Sequence, residues 1–363
     1  MLIYNEIKKS KKSKTVTKKS ILLPICFLLG LCFSISCEKD IDINSDSKPF
    51  PIVYGLLDAN DSIHYIKVYK SYLVEGNAYD VVKDIDKYSY KDSVDVYLIE
   101  YNEKGDSIRT IRFDTTTSIQ KNEGLFGHPT QILYKTHTTL FTDFSYKLIV
   151  KNKYTNDITT TKESIFLASP PSIRESITQT SIHIPEKSKD FKFWTGKNAT
   201  KYFLQIKYFY TENLYDGTSR QPEPIIWVLG NVSDPSTQAG QEKSLLVGAG
   251  ADFFRRLNSE IKEDPNVRIR HTDSLIYEVY AAARDFDMYL RSNVPSTGVN
   301  QEKLYYSNLT SYNAETAEEQ YAIGFFSSRT MASKWYRDLG YPSTKDSLFY
   351  GRYTGHLRFT DTY

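Results

Sequence analysis

Cysteine is scarce, with three in 363 residues. Cys26 and Cys32 lie inside the apolar run "ILLPICFLLGLCFSI" at 21–35, and Cys37 follows it closely. The chain beyond that run has one cysteine, so no internal disulfide can hold a fold there and stability must come from core burial. Long apolar runs are missing as well. The stretch at 21–35 covers about 15 residues where a membrane-crossing helix needs roughly 20, and Pro24 interrupts it. Positive charge is not concentrated along the remainder. Residues 1–36 hold seven lysines and one glutamate, so without them the net charge of +2 becomes −4. That balance argues against a nucleic-acid binder.

Motifs for catalysis are missing too. The histidines, His64, His128, His137, His183, His271 and His356, form no H-E-x-x-H and no metal-ligand spacing with a third ligand nearby, so no metal is expected. No G-x-S-x-G elbow occurs. In "GAGADFF", Gly248 and Gly250 lack the third glycine or the Gly-Lys-Ser/Thr ending of a phosphate cradle, and they read as a tight strand-to-helix turn. No cofactor motif is visible. The expectation is a protein that is not an enzyme, with an unrecognised carboxylate pair of the glycosidase kind as the catalytic alternative.

What is present begins at the N-terminus. A block of lysines from Lys8 to Lys19 precedes the apolar run, which is the order of an export signal. Ser34, Ile35 and Ser36 then lead into Cys37. "SISC" resembles the lipobox of bacterial lipoproteins, with Ser34 where leucine is commonest. The resemblance implies cleavage after residue 36 and a diacylglycerol thioether on Cys37, which would also account for the unpaired cysteine. An ordinary secretory cut nearby and a short anchor helix are the alternatives. Glu38, Lys39, Asp40 and Asp42 resemble the surface-export signal of Bacteroidota lipoproteins. Residues 37–48 are then a polar tether, and the expected location is the outer membrane, lipid-anchored on the cell-surface side.

Beyond the tether the pattern is that of short strands. Ile52 to Leu57, "DANDS" and Ile63 to Tyr69 read as two strands around a turn. Val94, Val96 and Leu98 share one face of the next strand, and "NEKGD" returns the chain with Gly105 where a positive φ is needed. Tyr146, Leu148 and Val150 alternate with polar residues, and 75–91 reads as an irregular excursion. Frequent turns and little helical period indicate a β-sandwich. Pro170 and Pro171 in "ASPPSI" mark the boundary between an N-terminal domain, 49–169, and a second β-rich domain, 170–363. There Tyr202, Leu204, Ile206 and Tyr208 line one strand face. Phe253, Phe254, Leu257 and Ile261 form a helical stripe. "SLIYEVY" turns from strand to helix near Asp285, and "YAIGFFSSR" reads as a closing strand. The tail at 340–363 shows no period.

"PIVYGLLDANDSIHYIKVYKSYL" behind the cysteine, the late "GFFSSR", and "DFDMYL" with the "VPSTG" loop resemble Bacteroidota surface lipoproteins of domain-of-unknown-function family 4249. The resemblance covers 37 to about 330 and departs at 75–91 and in the tail. It implies an all-β, immunoglobulin-like N-terminal domain, a second β-rich domain with one or two short helices, and genes beside TonB-dependent transporters. It implies no reaction. The expected function is a binding or accessory subunit beside an outer-membrane transporter, with Trp227 and Trp335 as contact aromatics. The alternative is a glycan-binding lipoprotein that uses those rings as stacking platforms. Five Asp-Ser-apolar triplets, at Ser62, Ser93, Ser107, Ser274 and Ser347, resemble the Bacteroidota O-glycosylation motif.

Overall fold

Alternating buried and half-exposed side chains carry most of the chain into strands. The computed structural model describes residues 49–72, 82–122, 129–174, 181–182, 184, 189–247, 250–293, 305–340 and 343–361. All of them belong to the unit Lys48–Tyr363. Cys37, Glu38, Lys39, Asp40 and Asp42 lie outside the described residues, as do His128, His183 and the "VPSTG" loop. The strands of the first half are β1 (Pro51–Leu57), β2 (Ile63–Lys70), β3 (Val94–Tyr101), β4 (Ser107–Thr116), β5 (Leu133–His137), β6 (Ser145–Asn152), β7 (Asp157–Thr161) and β8 (Ile165–Phe166). Then come β9 (Ser172–Ile173), β10 (Ser181–Ile182), β11 (Lys189–Trp194), β12 (Lys201–Leu214), β13 (Ser219–Arg220), β14 (Ile225–Ser233), β15 (Glu242–Val247) and β16 (Val267–Ala282). The last are β17 (Leu309–Asn313), β18 (Glu319–Gln320), β19 (Ile323–Tyr336) and β20 (Asp338–Leu339). The helices are α1 (Ile85–Tyr88), α2 (Gly250–Glu260), α3 (Arg284–Ser292) and α4 (Ser343–Tyr350). The fold is mainly β, as expected.

One hydrogen-bonded path runs β13-β12-β16-β19-β1-β2-β5-β4-β3-β6-β7-β17-β18, with β14 added to β12 and β8 to β6. It closes over the first core because β4 belongs to two neighbourhoods. Its first part pairs with β3 and its last three residues pair with β5. Val53, Leu57, Ile66 and Val68 from β1 and β2 thereby meet Val94, Val96, Leu98, Leu148 and Val150 from β3 and β6 in one apolar cluster. That is a sandwich, and each of these side chains sits on the face that alternation predicts. Leu309, Ala322 and Phe326, from late in the chain, complete it.

The second core lies on one face of β14-β12-β16-β19. Tyr202, Leu204, Ile206 and Tyr208 of β12 pack there with Leu275, Tyr277 and Val279 of β16. Phe253, Phe254 and Leu257 of α2 cover them, together with Phe191 and Phe193 of β11. Tyrosine contributes to both cores, since Tyr134, Tyr146, Tyr202, Tyr208 and Tyr336 rank among the largest fully buried side chains.

β19 ties the two cores together. Ile323 to Ser328 pairs in parallel with β1, and Arg329 to Tyr336 pairs antiparallel with β16. The strand expected to close the chain is therefore central to the sheet. The parallel pairing needs Gly324, whose φ is +116° and where a Cβ would stand 1.9 Å from the Val53 carbonyl oxygen. Gly105 has the positive φ expected of its turn, 85°.

Two helices lie where the pattern predicted them, and two more appear. α1 interrupts the 75–91 excursion: Asp84 caps it by accepting from Asp86 N, and Tyr88 packs edge-on against Tyr69. α4 and the tail also find places. Leu348, Leu357 and Phe359 enter the second core. The buried Arg270 guanidinium donates to the Leu357 carbonyl at 2.7 Å, and His271 Nδ1 donates to Thr360 O at 2.9 Å.

Candidate functional site

The core face of β12 uses the even-numbered residues, which leaves Phe203, Gln205, Lys207 and Phe209 pointing out. Register sets their neighbours. Lys207 stands between Ile226 of β14 and Ile276 of β16, and Ile276 stands beside Trp335 of β19. In the next row Val228, Gln205, Glu278 and Ser333 line up, followed by Phe203, Tyr280 and Met331. The Phe209 and Trp335 rings stack diagonally over this face, with centroids 6.4 Å apart and planes 11° from parallel.

At its centre is an ionic cluster. Glu278 is buried, 5% exposed, and accepts from Gln205 Nε2 at 2.6 Å and Tyr280 OH at 2.9 Å, with Lys207 Nζ 2.9 Å away. Burial pushes its carboxyl up, but the hydrogen bonds from Lys207, Gln205 and Tyr280 and the Lys207 charge outweigh that and hold it below the usual glutamate value. Tyr280 is pushed up to about 12 by burial, with its bond to the Glu278 carboxylate and that charge adding to the rise. A carboxylate so fully engaged makes a poor proton acceptor. The cluster fixes the pleat, and the apolar side chains around it supply contact surface. Trp335 is 59% exposed, Val228 65% and Ile226 43%. Exposed apolar side chains gathered in this way mark interaction surfaces.

The same outer face is covered at the other half of β19. There Phe286 and Tyr289 of α3 stack on Phe325, with Tyr289 and Phe325 centroids 4.1 Å apart. α3 shields Phe325 and leaves Trp335 open.

The two candidate tryptophans separate. Trp335 belongs to this open face, whereas Trp227 points to the core side and packs on Phe253 at 6.2 Å. Among the modification candidates, Ser62 and Ser107 are exposed. Ser93 is half-buried and donates to Tyr90 O at 2.5 Å, Ser274 lies beside Phe209 on the outer face, and Ser347 sits within α4. His64 is buried, bonded to Thr138 O at 3.1 Å, with its pKa lowered by burial. Among the described residues no group of three His, Cys, Asp or Glu could hold a metal. Sequence reasoning missed Phe203, Phe209, Ile226 and Val228. The signal was available in "KYFLQIKYFY", where aromatic residues occupy both parities although one parity suffices to fill the core.

No family model matches the chain, and no curated protein matches it. Among solved structures it is similar to the C-terminal globular domain of an oligosaccharyltransferase from Pyrococcus abyssi, at 7% identity and a TM-score of 0.22, over 62% of this chain and 45% of that one. It is also similar to CBD12 from CALX1.2, at 6% identity and a TM-score of 0.16, over 68% and 88% of the two chains. A third similarity is to trypsin-activated alpha-2-macroglobulin from Escherichia coli, at 9% identity and a TM-score of 0.16, over 82% and 24%. The chain spans less than half of the archaeal structure, and at these scores none of the three bears on its fold or function.

Proposed function

We propose that the protein is a non-enzymatic outer-membrane lipoprotein, anchored through Cys37, that serves as a binding or accessory subunit of an integral outer-membrane protein such as a TonB-dependent transporter. The observation that carries this reading is the open sheet face. Ile226 and Val228 on β14 and Trp335 on β19 are held on one face of the same sheet, with β12 and β16 between them, and the buried charge on those two strands is already satisfied. Interface centres share this composition, rich in aromatic side chains and poor in free charge. "SISC" supports the anchor. Glu38, Lys39, Asp40 and Asp42 support presentation on the cell surface, and the likeness to family 4249 supports the transporter partner. Ser62 and Ser107, the exposed Asp-Ser-apolar sites, are the favoured positions for O-glycosylation.

The test replaces Val228 with a photo-crosslinking residue in whole cells. A covalent adduct with one integral outer-membrane protein is expected from that position. None is expected from position 350, where Tyr350 is 82% exposed on α4. In parallel, Cys37→Ala should lose labelling by an alkyne fatty acid. Adducts from both positions, or from neither, would refute the face as the interface, and continued labelling would refute the anchor.

A further inference from the structure

A cleft opens at the end of the sandwich where the chain enters β1, and neither Trp227 nor Trp335 lines it. Its volume is about 380 Å³, near the lower end of the roughly 300–1,000 Å³ typical of small-molecule sites. One wall is Pro49 and Pro51 with Lys70, which pairs with Pro51 across β1 and β2. The opposite wall is Tyr154, Asp157 and Gln320, and Val94, Val150 and Thr159 form a buried floor.

The polar groups converge and are held in place. Asp157 accepts from Asn313 Nδ2 and Gln320 Nε2, each at 2.8 Å, and from the Thr155 hydroxyl. The Asn152 side-chain oxygen accepts from Tyr154 N at 2.9 Å and Thr155 N at 3.3 Å, fixing the turn that carries the Tyr154 ring. These bonds use the Gln320 donor and the Asn152 acceptor. The Gln320 carbonyl oxygen and the Asn152 amide donors have no partner among the described residues, and neither has the Lys70 ammonium or the Tyr90 hydroxyl. Burial and the nearby Asp157 push the Tyr90 phenol up to about 12, so it stays a neutral donor. Tyr154 is 80% exposed and presents a ring face over the opening.

We infer that this cleft binds a neutral saccharide ring. Each feature excludes another ligand class. An apolar ligand would strip water from Lys70 and Asp157 and return nothing. An anion would meet the Asp157 carboxylate, and a cation the Lys70 ammonium. A sugar hydroxyl both donates and accepts, which suits an unused amide carbonyl beside unused N–H and O–H donors. The C–H face of a pyranose suits the electron-rich face of the Tyr154 ring. The inference does not rest on the transporter reading, which concerns a different face of the molecule.

The test titrates methyl glycosides of glucose, galactose, mannose and N-acetylglucosamine, with galacturonate and glucosamine as charged controls, into the full mature protein in a sugar-free zwitterionic detergent, read by saturation-transfer NMR. Saturable binding of at least one glycoside is expected. Tyr154→Ala should weaken it about tenfold, the loss of a ring contact worth roughly 1.4 kcal/mol, and Gln320→Ala should weaken it too. Trp335→Ala should leave it unchanged. Because Tyr154 is largely exposed, its variant should keep the native thermal midpoint, which separates lost binding from lost folding. Three results would overturn the inference: no binding by any of the four, binding of galacturonate or glucosamine but of no neutral sugar, or binding that survives both substitutions.

Discussion

Arg270→Met tests how the C-terminal tail is held. Arg270 is 2% exposed, and its Nε and Nη2 contact Glu212 Oε1 at 2.9 and 2.8 Å. Nη1 donates to Leu357 O at 2.7 Å and Nη2 to Lys262 O at 3.1 Å. Methionine retains much of the stem's volume and removes every donor. Glu212, 5% exposed at its side chain, would keep only Arg220, 2.6 Å away and half in water. Removing one partner of a buried pair costs about 3–5 kcal/mol, a large share of the roughly 5–15 kcal/mol that holds a domain together. Urea unfolding should report a loss of that size for Arg270→Met. Adding Glu212→Gln should cost less than the sum of the two single losses, by about 1–3 kcal/mol, because both act on one network. Hydrogen exchange should accelerate first at 355–361, since Leu357 O loses its partner while the backbone bond from Thr360 N to Arg270 O remains. A loss under about 1 kcal/mol, or a loss with unchanged exchange in the tail, would refute the pair as the tail's anchor.

Two further outcomes are expected. Gly324→Ala puts a Cβ 1.9 Å from a backbone oxygen at a φ of +116°, so β1 and β19 must part and stability should fall by more than about 2 kcal/mol; a thermal midpoint within error of the parent would contradict the parallel register. Glu278 titrates below the ordinary glutamate value of 4.5, so its stabilisation is complete above that value and disappears as pH falls through the lower, folded one. The stability gap between the parent and Glu278→Gln should therefore be widest near neutrality and shrink in acid. A gap that widens on acidification would reverse the sign of the argument.

How much of this was legible in the sequence follows from what period can and cannot carry. Alternation placed Val94, Val96, Leu98, Tyr146, Leu148, Val150 and the even face of β12 correctly, because each strand is half-buried and a slip of one residue would turn every side chain over. The stripe of α2 was legible for the same reason at helical spacing. Partner choice was not, since nothing local tells Ile52 that it pairs with Ile323. Arg270 was hidden by an irregularity. The register between β12 and β16 shifts at Phe209 and Tyr210, skipping Asp273. A strand read from Leu275 therefore assigns the wrong face to everything before it. α1 spans a single turn, too short to show a period, and α4 buries only Thr344 and Leu348. The site was half legible. Trp335 was named with Trp227 because both are large and rare, but which face a tryptophan takes depends on strand parity, and parity in β14 is set by its pairing with β12.

The two surfaces should act independently, and β19 shows why. Gln320, in the cleft wall, lies just before β19, and Ile323 pairs with Ile52 next to Pro51. Trp335 lies twelve residues further along the strand, about 40 Å at roughly 3.3 Å per residue. Coupling over that length needs an element with two arrangements. β19 is held by β1 along its first half and by β16 along its second, and a one-residue slide would drive a side chain into Val53 where Gly324 now sits. The strand is therefore a fixed spacer. Distant sites without shared partners combine within about 0.3–0.5 kcal/mol, so the effects of Tyr154→Ala and Trp335→Ala on glycoside affinity should add. A saturating glycoside should leave the crosslinking yield from position 228 unchanged. Trp335→Ala should change glycoside affinity by no more than about twofold. A larger change, or crosslinking that rises or falls with added sugar, would mean that the sheet transmits binding from one end to the other and that β19 has a second register.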